Sequence, residues 1–265
     1  MKLERITPER VNAWKNIRLR EFRDDPEKRN QTIVTINSLI RNAKALFARK
    51  NLAFLRAKLD LPEVLPFDGV SMEKSPSLRY HSKIDAKKIM ENAHKELAGN
   101  DDEVFKALLL ALVCGLRRSE IDNLLWEKFD FANRTLSIES TKYRQLKSSD
   151  SAGEIDLNQT TAEIFQSFRQ ASPEDQFVIK GNPPRQINCS RDYRCNQIFD
   201  RLNNWLRSQG VDSMKPTHTL RKEVGSIIAA QHGIFAASRY LRHANLTITA
   251  QLYADKKHTV VPDFG

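Results

Sequence analysis

The stretch VFKALLLALVCGLRRSEI, residues 104–121, carries the strongest structural signal in the sequence. Its first ten residues are almost all apolar and predict a buried helix. Gly115 suits the left-handed position that commonly ends a helix, and Ser119 with Glu120 suits the first turn of the next one. The stretch therefore predicts two helices joined by a tight corner, with Arg117 supported at a fixed point of that corner.

Composition narrows the class of protein. Of the 265 residues, 40% are hydrophobic and 29% charged, while glycine and proline number only 9 and 10, which favours a mostly helical globular build over an all-β one. The longest apolar run, Ala107 to Cys114, is too short to cross a bilayer, and the N-terminus lacks an apolar signal segment. We expect a cytoplasmic protein with no membrane partner and free thiols at its three cysteines, Cys114, Cys189 and Cys195.

The net charge of +10 suits a polyanionic partner. Between Glu27 and Asp60 there are eight basic residues and no acidic one. In the same stretch apolar residues recur at steps of three and four, which predicts an amphipathic helix: Ile33, Ile36, Ile40, Ala43 and Phe47. A solvated helix face is the alternative, but such faces normally mix charge signs. We expect the following side chains to contact nucleic-acid phosphates: Arg41, Lys44, Arg49 and Lys50.

Breaks in composition predict the domain organisation. Three prolines and a glycine between residues 62 and 76 interrupt the helical periodicity, so residues 62–80 are expected to form a linker. Residues 1–61 would then form a small helical module and residues 81–265 a larger, mainly helical domain. Alternation in Leu136–Ile138 and in Glu154–Leu157 predicts a small antiparallel hairpin in that domain, with a basic loop at its tip.

Several common catalytic motifs are absent from the sequence. There is no glycine-rich phosphate loop, no His-Glu-x-x-His, no Gly-x-Ser-x-Gly and no paired-cysteine metal spacing. We therefore expect no cofactor and no metal site, and any phosphoryl chemistry would depend on side-chain cations.

Such cations occur in a second segment, THTLRKEVG, residues 217–225. Thr217 suits the cap of a helix that Gly233 would end, and His218, Arg221 and Gly225 share one face of that helix. Gly225 leaves the face bare, which would let a bulky group approach. The alternative is a capping histidine beside a surface arginine. Tyr253, near the C-terminus, would by itself be interpreted as a packing aromatic.

Taken in order, Gly-Leu-Arg117-x-x-Glu, His218-x-x-Arg221, Leu-x-His243 and Tyr253 resemble the tyrosine recombinase (phage integrase) family across residues 80–260. The resemblance implies a mainly α fold in which a helical core-binding module precedes a mostly α catalytic domain with a small antiparallel β-sheet, the DNA breaking-rejoining enzyme fold. Residues 1–61 resemble the core-binding module from partway into it, so we expect that module to be N-terminally incomplete.

The same resemblance implies a metal-independent, site-specific recombinase that acts on double-stranded DNA as a homotetramer. Tyr253 would attack phosphorus to form a 3′-phosphotyrosine while Arg117 and Arg221 bind the non-bridging oxygens. His218 and His243 would handle protons and hydrogen bonds at the phosphate. The family's hairpin lysine, which protonates the leaving oxygen, corresponds to Lys142. Lys147 is its rival and otherwise a DNA contact.

Three departures from the family pattern accompany the resemblance. The interval from His243 to Tyr253 is one residue longer than the commonest spacing, so the tyrosine helix is expected to enter differently. Arg242 replaces a usual glycine and Lys222 a frequent histidine, and both are expected to add charge near the phosphate. The alternatives are a type IB topoisomerase and a non-catalytic DNA-binding relative. A generic RNA-binding protein lacks support, because no aromatic stacking platform is evident.

Overall fold

The computed structural model describes residues 3–75, 77, 79–82, 84–146, 151–184, 193–243 and 245–253. The chain divides into two compact units, residues 1–78 and 79–265, each with its own hydrophobic core. Both are mainly helical, and the second contains a small antiparallel sheet, which confirms the expected fold class. None of the helices in these described ranges is long and apolar enough to span a membrane.

The first unit contains three helices, α1 (Pro8–Arg20), α2 (Pro26–Leu46) and α3 (Arg49–Lys58). The first two begin with a side-chain cap, from Thr7 and Asp25, followed by proline in the first helical position. The apolar stripe of α2 is buried as its periodicity predicts. The core of the unit consists of Val11, Leu19, Ile33, Ile36, Ile40 and Val70.

Part of the segment expected to be a linker packs within the first unit. Val70 is only 2% exposed and belongs to the core. Asn37 exchanges two hydrogen bonds of 2.9 Å with the main chain of Glu73, and Lys15 forms an ion pair of 2.7 Å with the carboxylate of Glu73. Proline-rich composition predicts the absence of a helix here, but an irregular segment can still be ordered when its backbone groups find partners.

The second unit surrounds one apolar helix. Its elements are α4 (Ala86–Glu96), α5 (Asp102–Leu112), α6 (Arg118–Asp122), β1 (Phe129–Asp130), β2 (Thr135–Ile138), β3 (Gly153–Asp156), α7 (Gln159–Ala171), α8 (Asn196–Ser208), α9 (Pro216–Tyr240) and α10 (Leu246–Tyr253). Every residue of α5 from Val104 to Leu112 is buried, and the helix packs against α4, α8 and α9. The helix predicted from the apolar stretch is therefore the centre of the unit.

The sheet has strand order β1-β2-β3, with both pairs antiparallel. Leu136 lies opposite Ile155 in one pair and opposite Phe129 in the other, and all three side chains are buried. The predicted hairpin of β2 and β3 is confirmed. The sequence did not indicate β1, because two residues are too few to show an alternating pattern.

Candidate active site

Arg117 lies at the corner between α5 and α6. The N–H of Leu116 donates to the carbonyl of Leu110 at 2.9 Å, and Gly115 adopts φ +59°. A Cβ atom at position 115 would lie 3.1 Å from the Leu241 side chain, so both the backbone and the packing favour glycine. The corner predicted from the sequence is present, and Arg117 occupies the N-cap of α6.

The Glu120 carboxylate is completely buried and binds the arginines of the site. Its Oε2 accepts the backbone N–H of Arg117 at 2.9 Å, and its Oε1 lies 2.8 Å from Nη1 of the same residue. Nη2 of Arg242 also lies 2.8 Å from the carboxylate, Arg144 lies at 3.6 Å and Arg221 at 4.0 Å. One carboxylate therefore faces four guanidinium groups, and the excess positive charge favours an additional anion.

The charges around Glu120 decide its ionisation. Burial raises the pKa of its carboxyl, but Arg242, Arg117 and Arg221 together outweigh burial and leave the pKa below its usual value. Glu120 is therefore ionised at neutral pH and can orient its arginine partners through charge-assisted hydrogen bonds.

Arg242 adds positive charge to the cluster around Glu120 from a buried position. Its side chain is 2% exposed and is directed to Glu120. Its backbone has φ +51°, a left-handed conformation that costs a non-glycine residue about 1 kcal/mol. That conformation accounts for glycine as the usual residue here, and the ion pair with Glu120 accounts for an arginine in its place.

Arg221 lies on α9 with its guanidinium buried behind the Gly115 corner. Nη1 donates to the carbonyl of Gly115 and Nη2 to the carbonyl of Leu241, so this one side chain joins the corner after α5 to the end of α9. Burial is the main cause that lowers the pKa of Arg221. A guanidinium has five N–H donors, so two bonds to carbonyls leave others for an anion.

The start of α9 differs from the expected cap. Pro216 is the first helical residue, and Thr217 lies inside the helix, where its hydroxyl donates to Asn203 Oδ1 at 2.8 Å. Proline is favoured at the first position because that N–H has no helical partner. Gly233 interrupts α9 with φ +81°, close to where the sequence predicted its end.

Tyr253, the last residue of α10, fills the space that Gly225 leaves on α9. A Cβ atom at position 225 would lie 2.5 Å from both Cζ and Oη of the Tyr253 ring and 2.7 Å from Leu241. The bulky group that glycine admits is thus a side chain of the same chain. The longer interval after His243 does not keep the phenol away from Arg221, which lies one helical turn before Gly225. Burial raises the pKa of Tyr253 to about 12, against the opposing charge of Arg221.

The two histidines border the same cluster of charges. Nδ1 of His243 lies 2.7 Å from the hydroxyl of Thr249, which is fully buried on α10. Burial, followed by the charges of Arg221 and Arg117, lowers the pKa of His243 to about 4. His218 is exposed as a residue, but desolvation of its imidazole by neighbouring groups, followed by the charges of Lys222 and Arg221, lowers the pKa of His218. Both imidazoles are therefore neutral at pH 7, and each has a nitrogen able to accept a proton.

The hairpin loop brings an arginine to Glu120. Lys142 is exposed, with Nζ 5.0 Å from the centroid of the Tyr143 ring, and no contact within the described ranges joins it to the Glu120 cluster. Arg144, two residues later, reaches Glu120 at 3.6 Å and is 15% exposed. Lys147 lies outside the described residues. Sequence reasoning missed Arg144, because loop residues show no periodicity that predicts the direction of a side chain.

The basic residues of the first unit differ in their freedom to bind. Arg41 lies on α2, Arg49 and Lys50 on α3, and all three are exposed. Nζ of Lys44 instead donates to the carbonyl of Val70 at 2.6 Å, so this lysine stabilises the irregular segment around Val70. Charge count and helical spacing could not separate these two roles.

The structure therefore brings five of the six expected catalytic residues to one region of the second unit: Arg117, His218, Arg221, His243 and Tyr253. Three charged residues that lie there were assigned no role at the site from the sequence: Glu120, Arg144 and Glu223. Among the described residues, no group of three or more His, Cys, Asp or Glu side chains could hold a metal ion.

Comparisons with known proteins agree with this architecture. Residues 80–259 match the model of the phage integrase family. Among solved structures, a lambda integrase (75–356) dimer bound to a COC′ core site matches all of this chain and 86% of its own, with 15% identity and a TM-score of 0.60. The Tn1549 transposon integrase in complex with transposon right end DNA matches 96% of this chain and 83% of its own, with 16% identity and a TM-score of 0.58. The chain matches no curated protein.

We predict that Glu120→Gln destabilises the protein by about 3 kcal/mol at pH 7, because a neutral amide leaves buried guanidinium groups without their counter-charge. The pKa of Glu120 is lower in the folded state than in the unfolded state. Its stabilising effect is therefore present above the unfolded glutamate pKa of about 4.3 and is lost as the pH falls through the folded value. Urea unfolding of both proteins at pH 7 and below pH 4 measures this difference.

The control for that prediction is Glu139→Gln. Glu139 forms an ion pair with Lys128, but its side chain is 54% exposed, and exposed pairs contribute less than about 1 kcal/mol. Equal losses of stability in the two variants, or a difference for Glu120→Gln that does not shrink in acid, would contradict the role given to Glu120.

Proposed function

The chain belongs to the phage integrase family, the tyrosine recombinases, and we propose from this premise that it cleaves and rejoins double-stranded DNA at specific sites through a 3′-phosphotyrosine intermediate. The observation that supports the proposal most directly is the position of Tyr253. Its phenol packs on Gly225, one turn from Arg221 and beside a cluster with excess positive charge. A nucleophile beside forked cation donors is an arrangement suited to phosphoryl transfer from DNA.

The arginines supply the electrostatic part of the reaction. Arg117 is the more accessible of the two proposed phosphate ligands, since 35% of its side chain is exposed, whereas Arg221 is 3% exposed. In our proposal Arg117 and Arg221 donate to the two non-bridging oxygens, where negative charge grows in the transition state. Their fixed positive charges serve the role that a metal ion has in other phosphoryl-transfer enzymes, so we propose a metal-independent reaction.

In the proposed cleavage step, one phosphorus–oxygen bond replaces another. The Tyr253 Oη forms a bond to phosphorus, its proton passes to the neutral imidazole of His218, and the bond from phosphorus to the 5′ oxygen breaks. The departing 5′ oxygen takes a proton from a lysine and leaves as a hydroxyl group. His243 donates a hydrogen bond to a phosphate oxygen. Attack by a 5′ hydroxyl on the phosphotyrosine reverses these steps and rejoins DNA.

We predict that Tyr253→Phe binds DNA as the unchanged protein does and forms no covalent adduct, because the ring keeps its packing and loses only the nucleophile. The substrate is a nicked duplex carrying a sequence selected by the protein from a random pool, and adducts are measured on denaturing gels. Arg221→Ala should slow adduct formation by about 10²-fold or more. Tyr193→Phe, at a tyrosine outside the proposed site, is the matched control.

An adduct formed by Tyr253→Phe would refute the assignment of the nucleophile. Absence of an adduct with the unchanged protein, despite binding, would favour the non-catalytic relative. If adducts form, two duplexes with the selected sequence separate the remaining alternatives: a recombinase exchanges strands between them, whereas a type IB topoisomerase only relaxes supercoils.

For the general acid we propose Lys142, and its exposed side chain would be free to turn toward DNA. We predict that Lys142→Ala slows cleavage of the normal substrate by about 10²-fold. Cleavage should recover when sulfur replaces the 5′ leaving oxygen, because a thiolate leaves without protonation. Lys147→Ala should change the rate of cleavage only slightly, and to the same extent for the normal substrate and the sulfur-containing one. Recovery by sulfur in Lys147→Ala alone would transfer the role to Lys147.

The exposed cations of the first unit are proposed to contact DNA phosphates. We predict that Arg41→Gln, Arg49→Gln and Lys50→Gln each reduce the slope of log K against log salt by about 0.9, the value for one phosphate contact. Lys44→Gln should change the slope less, because its amino group is bonded to Val70. Arg18→Gln, an exposed cation of α1, is the control, and an equal change in slope there would argue against a specific binding face.

The assembly on DNA is also a proposal. One of the similar solved structures, with 16% identity and a TM-score of 0.59, is a lambda integrase tetramer bound to a Holliday junction. That likeness and family membership support the proposal that four copies of this chain assemble on paired DNA sites. We propose that the assembly acts in the cytoplasm.

A further inference from the structure

Tyr80, at the start of the second unit, contacts both α10, which carries Tyr253, and α9, on which the Tyr253 ring packs. Its backbone N–H donates to the carbonyl of Leu252 at 2.9 Å, directly before Tyr253 in the chain. Its hydroxyl donates to Oε2 of Glu223 on α9 at 2.8 Å. These two bonds join Tyr80 to the end of α10 and to α9, although Tyr80 lies 143 positions before Glu223 in the chain.

Glu223 is an acidic group in a place where acid is unfavourable for cleavage. It is 5% exposed, lies two residues after Arg221 and contributes negative charge at the Tyr253 phenol. A carboxylate there disfavours the phenolate and repels an approaching phosphate. A hydrogen bond from a neutral donor stabilises such a charge without removing it.

Resting on the function proposed above, we propose that Tyr80 is a positioning residue for the nucleophile. Its backbone fixes the last turn of α10, and its hydroxyl keeps the Glu223 carboxylate directed toward Tyr80, away from the Tyr253 oxygen and the phosphate. A second contact of α10, that of Thr249 with His243, lies at the middle of the helix. The helix of Tyr253 is thus held at its C-terminal end and at its middle.

The charged groups facing this pocket set the expected direction of the effects. Arg221 favours the phenolate of Tyr253, and Glu223 opposes it. Nζ of Lys222 lies 6.0 Å from the centroid of the Tyr80 ring, and His243 is neutral at pH 7 because its pKa is about 4. Loss of the Tyr80 hydroxyl frees Glu223 to act on Tyr253, so Tyr80→Phe should raise the pKa of Tyr253 and Glu223→Gln should lower it.

The direct test needs no DNA. A fluorinated tyrosine that ionises near neutral pH is placed at position 253 of the full chain, and its ionisation is followed by fluorine NMR. We expect Glu223→Gln to lower the midpoint by about one pH unit and Tyr80→Phe to raise it by about half a unit. In the Glu223→Gln background Tyr80→Phe should have no further effect, because the hydroxyl acts through Glu223.

The matched control is Tyr240→Phe, which removes another buried tyrosine hydroxyl, one that donates to the Val113 carbonyl at 2.7 Å. It should leave the midpoint unchanged. An unchanged midpoint in Tyr80→Phe, or an equal shift with and without Glu223, overturns the proposal. If Tyr80→Phe does not fold, an unchanged midpoint in Glu223→Gln still overturns the proposal, because Tyr80 is proposed to act through Glu223.

Cleavage measured on the selected nicked duplex gives a second readout. Tyr80→Phe should slow adduct formation three- to tenfold at pH 7 and displace the pH profile to higher pH, whereas a purely structural effect would lower the rate equally at all pH values. Equal lowering at all pH values overturns the proposal. If the unchanged protein forms no adduct, the proposed function fails, and the fluorine midpoints still decide the role of Tyr80.

Discussion

The ion pairs of one buried carboxylate, that of Glu120, constrain the whole second unit. Glu120 accepts from the backbone of Arg117 at the start of α6 and pairs with Arg242 after α9 and with Arg144 from the hairpin loop. Charge removed from water requires partners close by, so these segments must meet at Glu120 for the unit to fold. Arg117 is then presented at the surface with its orientation already determined, which reduces the entropy lost when it binds an anion.

The position of Tyr253, the proposed nucleophile, depends on a second constraint, the absence of a side chain at Gly225. Any Cβ there would displace the Tyr253 ring, so the phenol and the arginines can share one pocket only because α9 is bare at that point. Burial raises the pKa of Tyr253 to about 12, so the phenol is protonated at neutral pH. In the proposed mechanism the phenol therefore loses its proton only when a base and the phosphate are both in place.

Much of the fold was predictable from local patterns. The apolar run predicted α5, a glycine directly after it predicted the corner at Gly115, and the alternation of apolar residues predicted the β2–β3 hairpin. These features depend on periodicity and on backbone preference, and both are properties of residues close together in the sequence. Strand β1 is too short for a pattern, and the order of the segment near Val70 depends on partners more than thirty residues away. Thr217 was misassigned as a cap because Pro216 before it takes the first helical position.

By itself, the amino-acid sequence determined the helical class and the order of the residues Arg117, His218, Arg221, His243 and Tyr253, since both are written in spacing and residue type. Only the tertiary structure decided that Arg242 is buried against Glu120, 122 positions away, and that Tyr80 binds Glu223 near Tyr253. The physical reason is that a side chain's partner is chosen by the packing of the complete core. Local spacing specifies which face of an element a residue occupies, and the element packed against that face depends on the rest of the chain.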